Sequence, residues 1–334
     1  MPLRLRTLLV ALIAASLALL AVACGGDGND RPTVRLGYSA WPGWFPWYIA
    51  EEEGLFEQAG ANVDLVYFEG YLDSINALAA GQLDANSQTL NDTIASVAAG
   101  SDQVIVLVND NSTGNDAIIV AEGINSVADL KGRRIALEVG VVDHYLLLLG
   151  LAEAGLSADD VGIVNLETGA AAAAFAAGQV DAVAVFAPFT TQALSRPGSK
   201  VLFDSADFPG AISDHLVVSH KLVEEHPEAV QGLVDAWFLT LEWMAANPDR
   251  ALELLARRAG VSGEEYRAYE AGTTIFTLEQ NLAAFQPGND LTSLPFAAAR
   301  IQQFLLETGL IEKEVDLSRL FDDRFVRARA GGAE

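Results

Sequence analysis

Two nine-residue stretches of this chain are near copies of each other. Ala77–Ala85 reads ALAAGQLDA and Ala174–Ala182 reads AFAAGQVDA, identical at seven positions and exchanging one apolar residue for another at the other two. Each copy closes a helix-like run, passes through a glycine that ends it, and enters a short strand led by an aspartate. The chain is therefore expected to fold as two similar halves.

Hydrophobic periodicity around the copies supports that division. Val34–Tyr38, Val63–Phe68, Leu83–Ala85, Val104–Asn109 and Ala117–Ala121 read as strands, with helices over Tyr48–Phe56, Leu72–Ala80 and Asn91–Ala99. The pattern restarts with strands Arg134–Glu138, Gly162–Leu166, Val183–Phe186, Val201–Phe203 and Leu216–Ser219, and helices Val142–Glu153 and Ala170–Ala177. From Glu224 onward the pattern is helical and no strand is visible: Pro227–Ala246, Asp249–Ala259, Gly263–Ala271 and Pro295–Thr308. Strands alternating with helices predict an α/β fold in which each half is a mostly parallel sheet covered by helices. At 334 residues there is length for two such lobes. The lobes are assigned to 33–119 with 216–325, and to 120–215, leaving 326–334 as a tail. The chain is expected to cross between them near Ile119–Gly123 and Ile212–His215, and two crossings make a hinge with a ligand cleft.

The N-terminus carries Arg4 and Arg6, then an apolar run from Leu8 to Val22 that is too short to span a membrane. This reads as a signal peptide over 1–23. The lone cysteine, Cys24, follows Leu20-Ala21-Val22-Ala23, which resembles the bacterial lipobox, with Ala21 where Leu is usual. Cys24 is then the lipidated first residue of the mature chain; the other reading makes it an ordinary residue beside an ordinary cleavage site. Residues 24–32 look like a flexible tether. With one cysteine no intrachain disulfide is possible. Forty-five acidic residues against twenty basic ones argue against nucleic-acid binding, which needs clustered Lys and Arg.

The segments GYSAWPGWFPWYIAEEEGLFEQAGANVDLVYFEG, SVADLKGRRIALEVG and AAGQVDAVAVFAPF, with the two repeats, resemble solute-binding proteins of ABC importers. The group in question is the nitrate, sulfonate and taurine binders with the related thiamine-pyrimidine-precursor proteins. The resemblance implies a two-lobe periplasmic-binding-protein fold, type II-like, without a cofactor. It implies a monomer that takes a small solute and passes it to an ABC permease and its ATPase subunits, held to the membrane by its lipid anchor.

Ligands of open α/β sheets sit beyond the carboxyl ends of strands, so the loops there supply the candidates. Trp41, Trp44 and Phe45 follow the first strand in a Pro-Gly loop that also leads to Trp47 and Tyr48; an indole face suits a planar or cationic ligand. Gln88, Thr89 and Asn91 follow the first repeat, where helix capping is the competing explanation for Asn91 and Asp92. Asp116 precedes a strand. Glu138, Asp143 and His144 join a strand to a helix whose N-terminus would attract an anion that these carboxylates would repel; Asp143 also reads as the helix cap. Phe186 follows the second repeat, and Asp214 lies at the return crossing. These loops contain no Lys or Arg, which fits a nitrogenous or zwitterionic solute as well as a sulfonate. The alternative is an enzyme on the same fold, a pyrimidine-precursor synthase or a dehydratase-like protein. Against it, the only cysteine is Cys24, and no metalloprotease, nucleophile-elbow or phosphate-loop motif is present.

Overall fold

In the computed structural model, which describes residues 31–331, both copies of the repeat fold the same way. One ends the Tyr71–Ala79 helix and the other the Thr168–Ala176 helix. Gly81 (φ 69°) and Gly178 (φ 75°) take the left-handed conformation that a Cβ would strain. The N–H groups of Gly81 and Gln82 donate to the carbonyls of Leu78 and Ala77, and those of Gly178 and Gln179 to Phe175 and Ala174. This pair of bonds satisfies the helix's last free carbonyls. The aspartates then fix what comes next. Asp84 Oδ2 accepts the Arg35 backbone N–H at 2.9 Å, and Asp181 Oδ2 accepts that of Arg134 at 2.9 Å. Each arginine side chain donates in turn to the carbonyl of Gln82 or Gln179. The repeat is thus a clip that ties a helix exit to the start of a neighbouring parallel strand.

Eleven strands are described: β1 (Thr33–Tyr38), β2 (Asn62–Tyr67), β3 (Ala85–Thr89), β4 (Gln103–Ser112), β5 (Asp116–Val120), β6 (Arg134–Leu137), β7 (Gly162–Asn165), β8 (Ala182–Phe186), β9 (Lys200–Asp204), β10 (Ser213–Ser219) and β11 (Thr273–Ile275). They form two sheets, in the orders β11-β4-β10-β3-β1-β2 and β7-β6-β8-β5-β9. Setting β11 aside, the two orders are equivalent. Each sheet has three parallel strands from its own half, then one strand that has just crossed from the other half, then a last strand.

Four strands of each sheet run the same way, as expected of mostly parallel sheets, and the exchanged strand runs against them: β10 pairs antiparallel with β3 and β4, and β5 with β8 and β9. That exchange corrects two expectations. The stretch 116–119, assigned above to the first lobe, lies in the second sheet, so the first crossing is Thr113–Asn115, where Gly114 (φ 135°) makes the turn, and not Ile119–Gly123. The return crossing is 205–212, placing 213–215 in the first sheet. The two crossings touch: Ser112 and Ser205 hydroxyls are 2.7 Å apart, and Gly114 N–H donates to Ser205 Oγ at 2.7 Å.

The helical C-terminal part begins as expected, with Pro227–Ala246, Pro248–Ala259 and Gly263–Ala271. Trp237 on the first of these packs against Trp47 at 4.7 Å, so Trp47 is core. The region nevertheless holds a strand: β11 pairs with the edge of β4. One step along β4, Asn281 continues that edge with its amide, accepting from Val108 N–H at 2.8 Å and donating to Val108 O at 3.0 Å. Residues 326–331 are no loose tail. The Arg324–Gly331 helix buries Phe325 and Val326, and Arg329 pairs with Glu242. The signal peptide, Cys24 and residues 25–30 of the tether lie outside the described residues. Among the described residues no helix is long and apolar enough to cross a membrane.

Candidate functional site

The two sheets face each other across a narrow cavity lined by Trp41, Trp44, Tyr71, Thr89, Asp116, Val142, Phe186, Ile212 and Asp214. Its free volume is about 10 Å³, about one water molecule, so the two jaws are closed on each other.

Each wall follows from local sequence. Pro42 and Pro46 stand at the first position of consecutive helical turns, where proline's missing N–H costs nothing, and they hold Trp41 and Trp44 at the end of β1. Trp41 Nε1 donates to Asp110 at 2.9 Å. Gly43 is needed for that arrangement, because a Cβ there would run into the Asp110 carboxyl. Thr89 and Phe186 occupy the same step of the two halves: each is the last residue of the strand that its repeat opens. Phe186 packs edge-on against Trp41 (6.2 Å) and Tyr71 (6.3 Å), closing the aromatic wall between the sheets. Trp44 lies 5.3 Å from Tyr71, and its indole Nε1 is buried with no acceptor.

The acidic groups come from the crossings. Asp116 is the first residue after the outward passage, and Asp214 is the second residue of β10 after the return. Asp214 pairs across the sheet with Asp110 on β4 and with Thr89 on β3. Asp116 is opposite Phe186 on β8. Asp110, Asp116 and Asp214 are all buried, and Oδ2 of each has no partner. Burial raises Asp110 and Asp116 to about 7, and burial together with the adjacent Asp110 carboxyl holds Asp214 well above the ordinary carboxylate range. Asp92 and Glu138, close by, are also pushed up to about 7 by burial, and Asp143 well above the carboxylate range. No Lys, Arg or His lines the cavity.

Of the residues picked from sequence, Trp41, Trp44, Thr89, Asp116, Phe186 and Asp214 meet at this cavity and the others do not. Phe45 turns behind the wall onto Tyr266, 6.4 Å away. Gln88 has a structural role that the sequence did not show. β3 runs to Thr89, so Asn86–Thr89 are strand rather than loop, and the Gln88 amide donates to Thr93 and accepts from Asn86. Asn91 donates to Asp92, while the cap of the Leu90–Ala99 helix is Thr89. Glu138 and Asp143 both accept from the Thr168 hydroxyl behind the cavity, and His144 is buried with neither ring nitrogen bonded. Asp143 is not a helix cap. The Val142–Glu153 helix is capped from the opposite lobe, where Asp92 Oδ2 accepts the Val142 N–H at 3.2 Å. Tyr71, Val142 and Ile212 went unnoticed; Tyr71 had a signal, since it stands in the segment that follows β2.

This geometry is that of a two-lobed binding protein closed on its cleft. The family model described as "NMT1/THI5 like" matches residues 41–251, and the chain belongs to that family. The taurine-binding periplasmic protein of Escherichia coli K12 is 32% identical over 298 residues, covering 84% of this chain and 89% of that protein. The alkanesulfonate-binding protein SsuA of Xanthomonas axonopodis pv. citri, solved with MOPS, superposes with a TM-score of 0.75 at 23% identity, covering 88% of this chain and 99% of that one. The desulfurization enzyme DSZB shares the fold at a TM-score of 0.65 and 21% identity, covering 91% and 100%. The fold therefore carries both binders and an enzyme, and the site must decide.

Proposed function

We propose that this chain is the exported solute-binding lipoprotein of an ABC importer. It captures a small polar solute between its two lobes and hands it to a permease driven by its ATPase subunits. The observation that carries this reading is the cavity itself. Aromatic side chains from both lobes enclose it, and two chain crossings between the lobes form a hinge about which they can open. The name of the taurine-binding periplasmic relative supports a solute-binding role. An enzyme acting through a nucleophilic hydroxyl would need one free at the cavity. Thr89 is the one aliphatic hydroxyl in the lining, and it is committed to Asp92 at 2.7 Å and to the helix start.

Two measurements test this reading. Small-angle scattering of the full chain should show a smaller radius of gyration when a solute that binds is added. No compaction with any solute would oppose it. Mass spectrometry of the processed N-terminal peptide should show acyl chains on Cys24, lost in Cys24→Ser; an unmodified wild-type peptide would remove the anchor from the account.

A further inference from the structure

We propose that the solute is a small organic cation with N–H donors, its charged end between Asp116 and Asp214 and its body against Trp41, Trp44 and Phe186. The proposal rests on the solute-binding reading above and commits it to a chemical class.

Three observations point the same way. The first is the inventory of free hydrogen-bonding atoms on the lining. Asp116 and Asp214 are 3% and 1% exposed, and each presents an oxygen with no partner. Buried acceptors without partners are costly, and a ligand that donates to them removes that cost. The only lining donor left free is Trp44 Nε1, because the Tyr71 hydroxyl is taken up by Thr89 and the Thr89 hydroxyl by Asp92. A sulfonate would find that one N–H and two carboxyls that it can approach only while they hold their protons, whereas a cation draws those protons off.

The second is the Val142–Glu153 helix. Its N-terminus enters the cleft, and such a terminus is the ordinary seat for an anionic headgroup. Here Asp92 from the opposite lobe already occupies that seat. The protein has placed its own carboxyl where an anionic solute would bind.

The third is the wall. Tryptophan faces attract organic cations. A bare metal ion needs a converging ligand set instead, and the described residues hold no group of three His, Cys, Asp or Glu so placed. Position also matters. Asp116 and Asp214 sit where the two crossings end, so a cation between them draws together the two strands that the hinge connects.

The test is calorimetry and thermal shift of the full chain at neutral pH with two probe sets: benzamidine and agmatine as N–H cations, taurine and methanesulfonate as sulfonates. A rise in Tm and measurable binding with a cation are expected, with no response to methanesulfonate. Asp116→Asn and Asp214→Asn should each weaken cation binding by about 30-fold or more, while the unliganded Tm does not fall. Asp84→Asn, in the repeat clip, should leave cation affinity unchanged. Binding of the sulfonates without the cations overturns the cation claim and leaves solute capture standing. A response to neither set also overturns it, and the scattering measurement above then decides solute capture separately. Cation binding that survives both Asp→Asn changes places the charge elsewhere and overturns it as well.

Discussion

Replacing Asp116 by asparagine should flatten the pH dependence of this protein's stability. Asp116 is buried, and burial raises it from 3.8 to about 7. The folded chain therefore keeps a proton that the unfolded chain releases near pH 4. The corresponding stability is fully present below about pH 4 and is lost as pH rises towards 7. At about 1.36 kcal/mol per pKa unit, three units make on the order of 4 kcal/mol. Several neighbours titrate in the same direction: Asp92, Asp110, Asp143, Asp214 and Glu138 around the cleft, and Asp204, which also repels the charged form of Asp116. The carboxyls held below their ordinary range, Asp129, Asp160, Glu265, Asp290 and Asp316, have the opposite sign but titrate under about pH 5. Between pH 5 and 8 two buried histidines oppose the carboxyls: burial holds His144 below its ordinary 6.5 and His215 at about 3, so their contribution to stability grows as pH rises through about 6.5. The six buried carboxyls around the cleft outnumber them. Urea denaturation across that range should show wild-type stability falling as pH rises, with a shallower fall in Asp116→Asn. A wild-type stability that is flat or rises from pH 5 to 8, or a variant with the wild-type slope, would refute the reasoning.

Other expectations follow from single contacts. Gly43→Ala pushes a methyl into the Asp110 carboxyl and should cost about 1–3 kcal/mol in denaturation, with the tryptophan fluorescence altered. Asp84→Asn and Asp181→Asn each remove a carboxylate that accepts a backbone N–H. Each should cost about 1 kcal/mol, and the double variant should cost their sum, because the two clips sit in different sheets. Asn281→Ala leaves the Val108 N–H and C=O on the β4 edge without partners and should lower stability by about 1–3 kcal/mol. Tyr269→Phe removes a hydroxyl that bonds Thr191 at 2.5 Å across the lobes. It should shift the unliganded chain towards a larger radius of gyration in scattering without lowering its Tm by more than about 1 kcal/mol equivalent.

The repeat and most helices were legible because they depend on near neighbours in sequence. Gly81, Asp84, Gly178 and Asp181 fold their own surroundings. The exchange of β5 and β10 between sheets was not legible: an apolar run such as Ala117–Val120 is equally at home in the middle of either sheet. The aromatic wall was visible in Trp41, Trp44 and Phe186, since large rings after strand ends have few other uses. Gln88 misled for a physical reason. A polar strand is unusual inside a core, and β3 is stable there only because Trp47, Ser74 and Thr93 satisfy its side chains from three directions. The pairing of Asp110 with Asp214 and the capping of Val142 by Asp92 link residues far apart in the chain, and nothing local announces them.

A solute held between Trp44, on the turn that follows β1, and Phe186, at the end of β8, is the central claim. Native mass spectrometry of the full chain as isolated from cells tests it most directly. The wild type is predicted to carry one small molecule per chain, released on denaturation and absent from a Trp44→Ala/Phe186→Ala variant. A bare wild-type chain, or the same adduct in both proteins, would contradict the account.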